Sequence, residues 1–423
     1  MNTTRTRNQP SSAPAVTTVA GYLLTRLSEA GVASVFGVPG DYNLALLDAI
    51  IARRDLAWIG MATEQGAGYA ADSYARLRGL GALVTTFGAG ELSALNAIAG
   101  ACAESVPVVH IVGTPALAAR KPGATFHHML PGAGFDHFAE MAAGVTAAQG
   151  DLRPDSAPAE IDRVLDTALR TSRPVYLTLP ADVADAPVPA PAERLTAIVR
   201  GGLVRTDLTR LRATNAARPA DTGPTARRAV LTQASLWAGV QDFLQPRDML
   251  IADQGTAFYG AAELTLPDEA RLADQPLWAS MGWGLPAALG ASLAAPDRRV
   301  ILIIGDGAMQ QTAPELGTLL GQGLVPVVIV LNNGGYTVER ASHRPSAEYH
   351  DIQAWDWTAL PAAVAPAAAV VTLRVRTADE LDLALNNASY HAATGRPVLI
   401  EAVLGAEDTP PLLREPSRVL AHR

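Results

Sequence analysis

The amino-acid sequence predicts an α/β protein made of two doubly wound parallel-sheet domains joined by a linker. Short apolar runs alternate with helical patterns in both halves of the chain, which is typical of parallel sheets covered by helices. Between the halves lies a segment rich in proline, alanine and arginine that shows no apolar period, as linkers do. We expect a disordered tail at residues 1–15, a first domain at 16–186, the linker at 187–228 and a second domain at 229–423.

The composition fits a protein with sizeable buried cores. Of the 423 residues, 49% are hydrophobic and 17% are charged, enough for the roughly two or three domains that this length predicts. The formal net charge of -8 gives no basic footprint, so nucleic acid and membrane surfaces are not expected partners. The single cysteine, Cys102, excludes a disulfide framework, and no apolar run is long enough to span a bilayer. We expect a cytoplasmic protein.

The first half alternates helix and strand. A helical pattern at 19–30 leads into a strand at 33–38; further strands are predicted at 56–62, 82–87, 106–112 and 175–179, with a small-residue helix at 67–78. Asp41, Glu64 and Gly88 follow the ends of three of these strands. Because the carboxyl ends of parallel strands meet at one edge of a sheet, we expect functional groups to gather there.

The second half repeats this pattern. A helix is predicted at 237–244, strands at 249–253, 300–304 and 325–331, and a helical segment around 315–320. The letters GDG close the strand at 300–304, and the letters NN end the strand at 325–331. In such a strand–helix–strand unit, Asp306 and Asn333 lie side by side at the sheet edge.

A carboxylate and an amide oxygen flanked by glycines suit a hard divalent cation. Mg²⁺ held by few protein ligands completes its octahedron with water and phosphate oxygens, so a diphosphate-bearing cofactor is implied. Taken alone, GDG or NNGG is typical of an ordinary turn, since Gly, Asp and Asn dominate turns. Their pairing across one strand–helix–strand unit favours the cation site.

This pairing, GDGAMQ followed by LNNGGYTVE, resembles the metal–diphosphate motif of thiamine diphosphate (ThDP) enzymes, which begins with GDG and ends with NN. The sequence of this motif is most similar to that of the indolepyruvate, phenylpyruvate and pyruvate decarboxylases. In the first half, GVPGDYNL, TEQGAGYAADSYAR and FGAGELSALN resemble the pyrimidine-binding domain of the same decarboxylases. The resemblance implies a pyrimidine-binding first domain, a diphosphate-binding second domain, and ThDP and Mg²⁺ as cofactors.

The resemblance also implies which residues hold the cofactors. The implied metal ligands are Asp306, Asn333 and Gly335, and the implied cofactor contacts are Glu64, Gly255, Thr256, Ala279, Met281, Gly305, Asp306, Gly307 and Ala308. Met281 matches the bulky apolar residue that wedges ThDP into its bent shape. Without the resemblance, a methionine at a helix entry would be interpreted as core packing.

Glu64 is the implied acid of the pyrimidine. From its position alone it could equally be a helix cap. In the family the matching carboxylic acid bonds pyrimidine N1′ and drives the ring to its imino form. That nitrogen then removes the thiazolium C2 proton, and the resulting ylid is the nucleophile.

Four further residues complete the implied catalytic set. His127 and His128 match a histidine pair that works with an aspartate matching Asp41, although adjacent histidines are also common in polar loops. Histidine can relay protons near neutral pH. Glu339 matches a glutamate that helps deliver a proton after carbon dioxide leaves; otherwise it would be a solvated side chain.

The function implied is non-oxidative decarboxylation of a 2-oxo acid, of the pyruvate, phenylpyruvate or indolepyruvate type, to an aldehyde and CO₂ through the ThDP ylid. Two alternatives stay open: a ThDP-dependent carboligase that forms acyloins, and a non-catalytic ThDP-fold partner subunit. In the family the cofactor lies between two subunits, so a homodimer or homotetramer is implied. The small-molecule substrate is the only other partner expected.

The chain departs from the family in two places. Full-length relatives carry a middle α/β domain where this chain has only the linker. We expect this difference to affect assembly and regulation before it affects the catalysed reaction. Relatives usually contain GTSAFG where this chain contains GTAFYG. Phe258 is therefore predicted to narrow the substrate pocket, so that a large indolyl side chain fits poorly.

Overall fold

The computed structural model describes residues 15–121, 123–195 and 230–414. Each half contains a six-stranded sheet in which all neighbouring strands are parallel, and helices pack on both faces. The predicted fold class, two parallel-sheet α/β domains, is confirmed. The predicted tail, apart from Ala15, and residues 196–228 of the predicted linker lie outside the described residues.

The elements of the first half are as follows. The strands are β1 Val16–Thr18, β2 Ser34–Gly37, β3 Ala57–Gly60, β4 Gly81–Thr86, β5 Val108–Thr114, β6 Gln149–Asp151, β7 Val175–Pro180 and β8 Pro187–Pro189. The helices are α1 Val19–Glu29, α2 Leu44–Ile51, α3 Glu64–Arg78, α4 Ala89–Ala103, α5 His137–Ala143 and α6 Ala157–Thr171, with a 3₁₀ turn at Leu117–Ala119.

The second half has a matching set. Its strands are β9 Met249–Ala252, β10 Arg271–Ala273, β11 Val300–Gly305, β12 Val327–Asn332, β13 Val371–Val375 and β14 Val398–Val403. Its helices are α7 Gln233–Phe243, α8 Thr256–Ala261, α9 Gly284–Ala294, α10 Asp306–Thr312, α11 Pro314–Gly321, α12 Thr337–Ser342, α13 Leu360–Val364 and α14 Ala378–Ala393, with 3₁₀ turns at Glu348–His350 and Pro411–Arg414.

The two sheets share one topology. The strand order is β3-β2-β4-β5-β7-β6 in the first and β10-β9-β11-β12-β14-β13 in the second. In both sheets, the second strand in chain order lies on one side of the first strand, and the third lies on the other side. The strand order therefore reverses between β2 and β4 and between β9 and β11. Such a switch point opens a crevice at the carboxyl ends of the strands, where ligands bind.

The ends of the first half pair with each other. β1 and β8 form an antiparallel ribbon, with Val16 opposite Pro189. The first residues of the predicted linker are thus part of the first half, and the buried side chain of Val188 packs into its core. Among the helices of the described residues, none combines the length and the apolar character needed to cross a bilayer.

α3 and α10 begin where the sequence patterns did not place them. α3 starts at Glu64 rather than at residue 67, because the Thr63 hydroxyl accepts a hydrogen bond from the Gly66 N–H at 3.0 Å and caps the helix. α10 starts at Asp306, directly after β11, in a stretch where glycine lowers helix propensity. Both new helix starts carry a predicted site residue.

The two halves pack through α3 and α9. A Cβ atom on Gly290 would collide with the carbonyl oxygen of Ala70, so glycine lets the two backbones come close. Beside this contact the Asp72 carboxylate accepts hydrogen bonds from Trp283 Nε1 at 3.2 Å and Arg76 Nε at 2.6 Å. Arg76 also donates to the Asp274 carbonyl oxygen across the interface at 2.9 Å. The interface between the halves is therefore close-packed and carries a buried ion pair.

Gly290→Ala is expected to destabilise the protein, although alanine is intrinsically the better helix former. Overpacking of this kind lowers the free energy of unfolding by about 1–3 kcal/mol. Replacing glycine by alanine inside a helix raises it by roughly 1 kcal/mol. At the upper end of its range, the overpacking cost exceeds the gain. Urea unfolding measures the difference. The control is Gly321→Ala, at the end of α11, where the added Cβ meets open space. Equal stabilities of the two variants would contradict the close approach of α3 and α9.

Candidate active site

The strand ends of the second half surround a cavity of about 230 Å³. β9, β11 and β12 end at Ala252, Gly305 and Asn332, on either side of the switch point. Gln254, Gly305 and Asn333, at or just after these ends, line the cavity. All the predicted second-half site residues line this cavity: Gly255, Thr256, Ala279, Met281, Gly305, Asp306, Gly307, Ala308, Asn333, Gly335 and Glu339. Tyr336, Thr337 and Val338 also line it and were not predicted, although they lie in the same GGYTVE segment.

Asp306 anchors the loop that follows β12. Its buried carboxylate accepts backbone N–H bonds from Gly307 at 2.8 Å, Gly334 at 2.7 Å and Gly335 at 3.2 Å. Burial raises the pKa of Asp306 to about 6, and these N–H bonds act in the opposite direction. Gly334 and Gly335 both have positive φ, which glycine adopts without strain. The loop is thereby folded over the carboxylate.

Asn333 joins the Asp306 carboxylate to the carbonyl group of Gly335. One end of its side-chain amide lies 3.2 Å from Oδ1 of Asp306 and 2.7 Å from the carbonyl oxygen of Gly335, and the nitrogen at this end donates to both. The amide oxygen at the other end accepts from the Thr337 hydroxyl at 3.0 Å. Rotating the amide by half a turn would bring its oxygen beside the carboxylate and the carbonyl oxygen, a donor set that suits a hard divalent cation. The three predicted metal ligands therefore fit a hard cation that completes its shell with water and phosphate.

The turn that carries Met281 is held by Asp253, a residue that the sequence patterns did not single out. Asp253 is fully buried and accepts N–H bonds from Gly282 at 3.1 Å and Gly284 at 2.6 Å. Burial raises the pKa of Asp253 to about 7. Ala279 has φ +57°, an uncommon conformation for a residue with a side chain and one that concentrates at ligand sites. The Asp253 carboxylate, at the end of a strand, thus fixes the conformation of this turn.

In the first half, Asp41 and His127 form a pair. Oδ2 of Asp41 lies 2.9 Å from Nε2 of His127, and the Tyr42 hydroxyl lies 3.1 Å from Nδ1 of the same ring. The Tyr42 and His127 rings are stacked with centroids 4.8 Å apart. With the ring neutral, Nε2–H donates to Asp41 and Nδ1 accepts from Tyr42. The structure thus brings together two residues that are far apart in the sequence.

His128 lies beside this pair in a different orientation. Its Nδ1 is 3.2 Å from the Phe87 carbonyl oxygen, which can only accept, so Nδ1 carries the hydrogen and Nε2 is left to face other groups. The backbone of His128 has φ +69°. A Cβ atom on Gly88 would collide with the His128 carbonyl oxygen, so this glycine is required for the close approach.

Glu64 joins the same turn, between β4 and α4. Its Oε1 atom lies 3.2 Å from the position that a Cβ atom on Gly90 would take. Asp41, Glu64, His127 and His128 thus gather around residues 88–90, where the predicted strand-end groups were expected. Within the described part of the chain, none of these four lines the 230 Å³ cavity of the second half.

Glu91 stabilises this turn through buried hydrogen bonds. It was not predicted as a site residue. Its carboxylate is buried, accepts the Gly88 N–H at 2.6 Å and accepts a short hydrogen bond from the Tyr176 hydroxyl. Burial raises the pKa of Glu91 to about 7. The sequence signal that could have found it is the GAGE spacing, in which a glutamate three residues into a helix bonds back to the N-cap.

Phe258, the residue predicted to narrow the pocket, is buried and packs edge-on against Tyr259. Phe258 is not among the residues that line the described cavity. The predicted effect on substrate size therefore stays a prediction.

Comparison with known families identifies both halves. The model of the thiamine pyrophosphate enzyme N-terminal TPP binding domain matches residues 17–139, and that of the C-terminal TPP binding domain matches residues 254–402. This chain belongs to the thiamine pyrophosphate enzyme family. Thiamine pyrophosphate is another name for ThDP, so the predicted family and cofactor are confirmed.

Curated relatives of this thiamine pyrophosphate enzyme extend over both halves. An alpha-keto-acid decarboxylase of Mycolicibacterium paratuberculosis is 38% identical over 541 aligned positions, which cover 94% of this chain and 96% of the relative. Proteins of the same name from Mycobacterium tuberculosis and Mycobacterium ulcerans are 37% identical, with 94% and 95% of this chain covered and 96% and 95% of the relatives. The 541 aligned positions outnumber the 423 residues here, so the relatives contain positions without a counterpart.

Asp306→Asn in this thiamine pyrophosphate enzyme is expected to weaken Mg²⁺-dependent ThDP binding. The substitution keeps the size of the side chain and removes the only carboxylate among the three predicted metal ligands. Since even outer-shell partners of a metal are worth roughly 10- to 100-fold in affinity, loss of a direct ligand should cost at least that much. Calorimetric titration with ThDP at fixed Mg²⁺ measures the affinity.

Asp297→Asn is the matched control, because Asp297 is an exposed carboxylate before β11, at the opposite edge of the sheet, paired with Arg247. This control should bind ThDP as the wild type does. Wild-type affinity in Asp306→Asn would show that the Asp306 carboxylate does not hold the cation.

Proposed function

We propose that this thiamine pyrophosphate enzyme catalyses non-oxidative decarboxylation of a 2-oxo acid of the pyruvate, phenylpyruvate or indolepyruvate type, giving an aldehyde and CO₂. The observation that carries the proposal is the meeting of the Asp306 carboxylate, the Asn333 amide and the Gly335 carbonyl group in a cavity that Glu339 also lines. The Asp41–His127 pair adds a proton-transfer group. The relatives named alpha-keto-acid decarboxylase support this reaction class.

The second half would hold the cofactor. Asp306, Asn333 and Gly335 would each supply an oxygen to Mg²⁺, whose positive charge would offset the negative charge of the diphosphate. Gly255 and Thr256 line the same cavity, where their backbone N–H groups would bond phosphate oxygens. Ala279 and Met281, on the turn fixed by Asp253, would bind the pyrimidine end and impose the bent shape.

The side chains then manage protons. When bound, ThDP supplies a nucleophilic thiazolium carbon and an electron sink for the departure of CO₂. Glu64 exchanges a proton with the pyrimidine nitrogen. His127, oriented by Asp41, and His128 hold the substrate carboxylate and relay protons, and Glu339 delivers a proton to the former keto carbon.

We also propose that the minimum active unit is a homodimer in which each site uses both chains. Glu64 and its neighbours gather in the first half, whereas the cavity with Asp306 is lined by second-half residues. Large apolar side chains are exposed next to α4, with Leu277 61% and Trp278 41% exposed, which suits a surface that a second copy covers. Tetramers of such dimers and a cytoplasmic location are further proposals. The single cysteine supports the latter.

The absence of a middle domain between the halves is likewise a proposal. It is supported by the aligned positions of the relatives that have no counterpart here and by the proline- and alanine-rich composition of residues 187–228.

The wild-type protein with ThDP and Mg²⁺ is expected to release CO₂ from at least one member of a panel of 2-oxo acids ranging from small aliphatic to indolyl. Glu64→Gln should lower the rate by roughly 100-fold or more, since it removes an acid–base group. The released CO₂ and the aldehyde are both quantified.

Other results would point elsewhere. A hydroxyketone in place of the aldehyde, or bound ThDP without CO₂ release, would favour the carboligase. Neither ThDP binding nor CO₂ release would leave the non-catalytic partner subunit as the remaining interpretation.

Co-expressing Glu64→Gln with Asp306→Asn should restore activity that each variant lacks alone. If each site combines the first half of one chain with the second half of its partner, a mixed dimer contains one intact site, and random pairing gives about one quarter of wild-type activity. Each variant expressed alone is the control. No recovery, with mixed dimers shown by affinity tags, would place the whole site within one chain.

A further inference from the structure

The start of α3 is held by a carboxylate from the other half of the chain. Glu315, on α11, is fully buried. Its Oε1 accepts from the Thr63 N–H at 3.0 Å and the Thr63 hydroxyl at 3.1 Å, and its Oε2 accepts from the Ala62 N–H at 3.2 Å. Both backbone donors belong to the segment just before the helix, where N–H groups have no partner within the helix. Glu315 is therefore an external cap for α3.

This external cap brackets Glu64 on both sides. Ala62 and Thr63 precede it, and a Cβ atom on Gly66, two residues after it, would collide with Oε1 of Glu315. The backbone on either side of Glu64 is thus in contact with one carboxylate. The direction in which the Glu64 side chain leaves the helix depends on this contact.

Glu315 is also close in sequence to Asp306, the predicted metal ligand. α10 begins at Asp306 and ends at Thr312, and α11 begins at Pro314, so a single residue separates the two helices. Burial raises the pKa of Glu315, and the bonds from Ala62 and Thr63 oppose that shift. A carboxylate in this place also suits the positive end of the α3 dipole.

We propose that Glu315 is the positioning residue for Glu64: it ties the start of α3 to the diphosphate-binding half and so fixes where the acid points. The inference rests on the proposed role of Glu64. No substrate or cofactor contact is assigned to Glu315, and it acts only through the backbone of α3.

The contact itself is tested without cofactor by hydrogen–deuterium exchange of backbone amides. Glu315→Gln replaces one carboxylate oxygen by an amide nitrogen, so the backbone N–H of Ala62 or of Thr63 loses its acceptor. The peptide covering residues 62–66 should exchange at least about tenfold faster than in the wild type, with the rest of α3 unchanged. Gly66→Ala, which pushes Glu315 away from the other side, should give the same local change and serves if Glu315→Gln does not fold.

Arg78→Gln is the matched control. Arg78 Nε donates to the Ala294 carbonyl oxygen at 2.8 Å, so this variant also removes a hydrogen bond between the halves, at the far end of α3. It should leave exchange at residues 62–66 and activity unchanged. Faster exchange at 62–66 in all three variants would mean that the halves loosen as a whole, and the positioning role would be rejected.

The functional consequence is read from the exchange of the thiazolium C2 proton of bound ThDP with deuterium, followed by NMR, which needs no substrate. Glu315→Gln should slow this exchange at least about tenfold, because misplacing an acid by an ångström costs rate steeply, while the calorimetric ThDP affinity stays within about twofold. Arg78→Gln should show the wild-type rate. Wild-type C2 exchange in Glu315→Gln would overturn the proposal.

These measurements separate the two proposals. If the wild type binds ThDP and exchanges the C2 proton but releases no CO₂, the proposed decarboxylation fails, while the comparison of Glu315→Gln with Arg78→Gln still decides the role of Glu315. If decarboxylation is found and Glu315→Gln lowers kcat with KM unchanged, both stand.

Discussion

The close packing of α3 against α9 is the constraint on which the rest of the structure depends. Gly290 lets α9 approach the backbone of α3 at Ala70, and the Asp72–Arg76 ion pair is buried beside it. Interiors packed this densely transmit small displacements instead of absorbing them. Since α3 begins with Glu64, the packing along the whole of this helix fixes the position of the acid relative to the second half.

The shared topology of the two sheets explains how one fold can supply two different parts of a site. In both halves the strand order reverses beside the first central strand, and the candidate residues lie in the crevice so created. The first half places carboxylates and histidines there, the side chains to which we assign proton transfer. The second half places glycines, Asp306 and Asn333 there, the residues that we propose hold a cation and the diphosphate. The division follows from side-chain chemistry on equivalent scaffolds.

Buried carboxylates hold the functional turns in both halves. Asp253, Glu91 and Glu315 each accept backbone N–H bonds from a turn next to a candidate site residue, and burial raises the pKa of all three. A carboxylate in an apolar surrounding is costly unless such donors satisfy it, so it fixes the geometry of its donors strongly. Rigid turns of this kind are what a site needs when its reacting groups come from separate segments.

The sequence by itself determined the fold class, the family and most candidate residues, because apolar strands end in turns whose letters, GDG and NNGG among them, are local. Only the tertiary structure decided which residues meet: that Asp41 bonds His127, that the Asn333 amide meets the Asp306 carboxylate, and that Glu315 holds the start of α3 at Glu64. Residues 62 and 315 are far apart in the chain, and a carboxylate whose partners are backbone N–H groups has no sequence pattern to mark it. Long-range contacts of that kind are set by how helices and sheets pack, which no local pattern records.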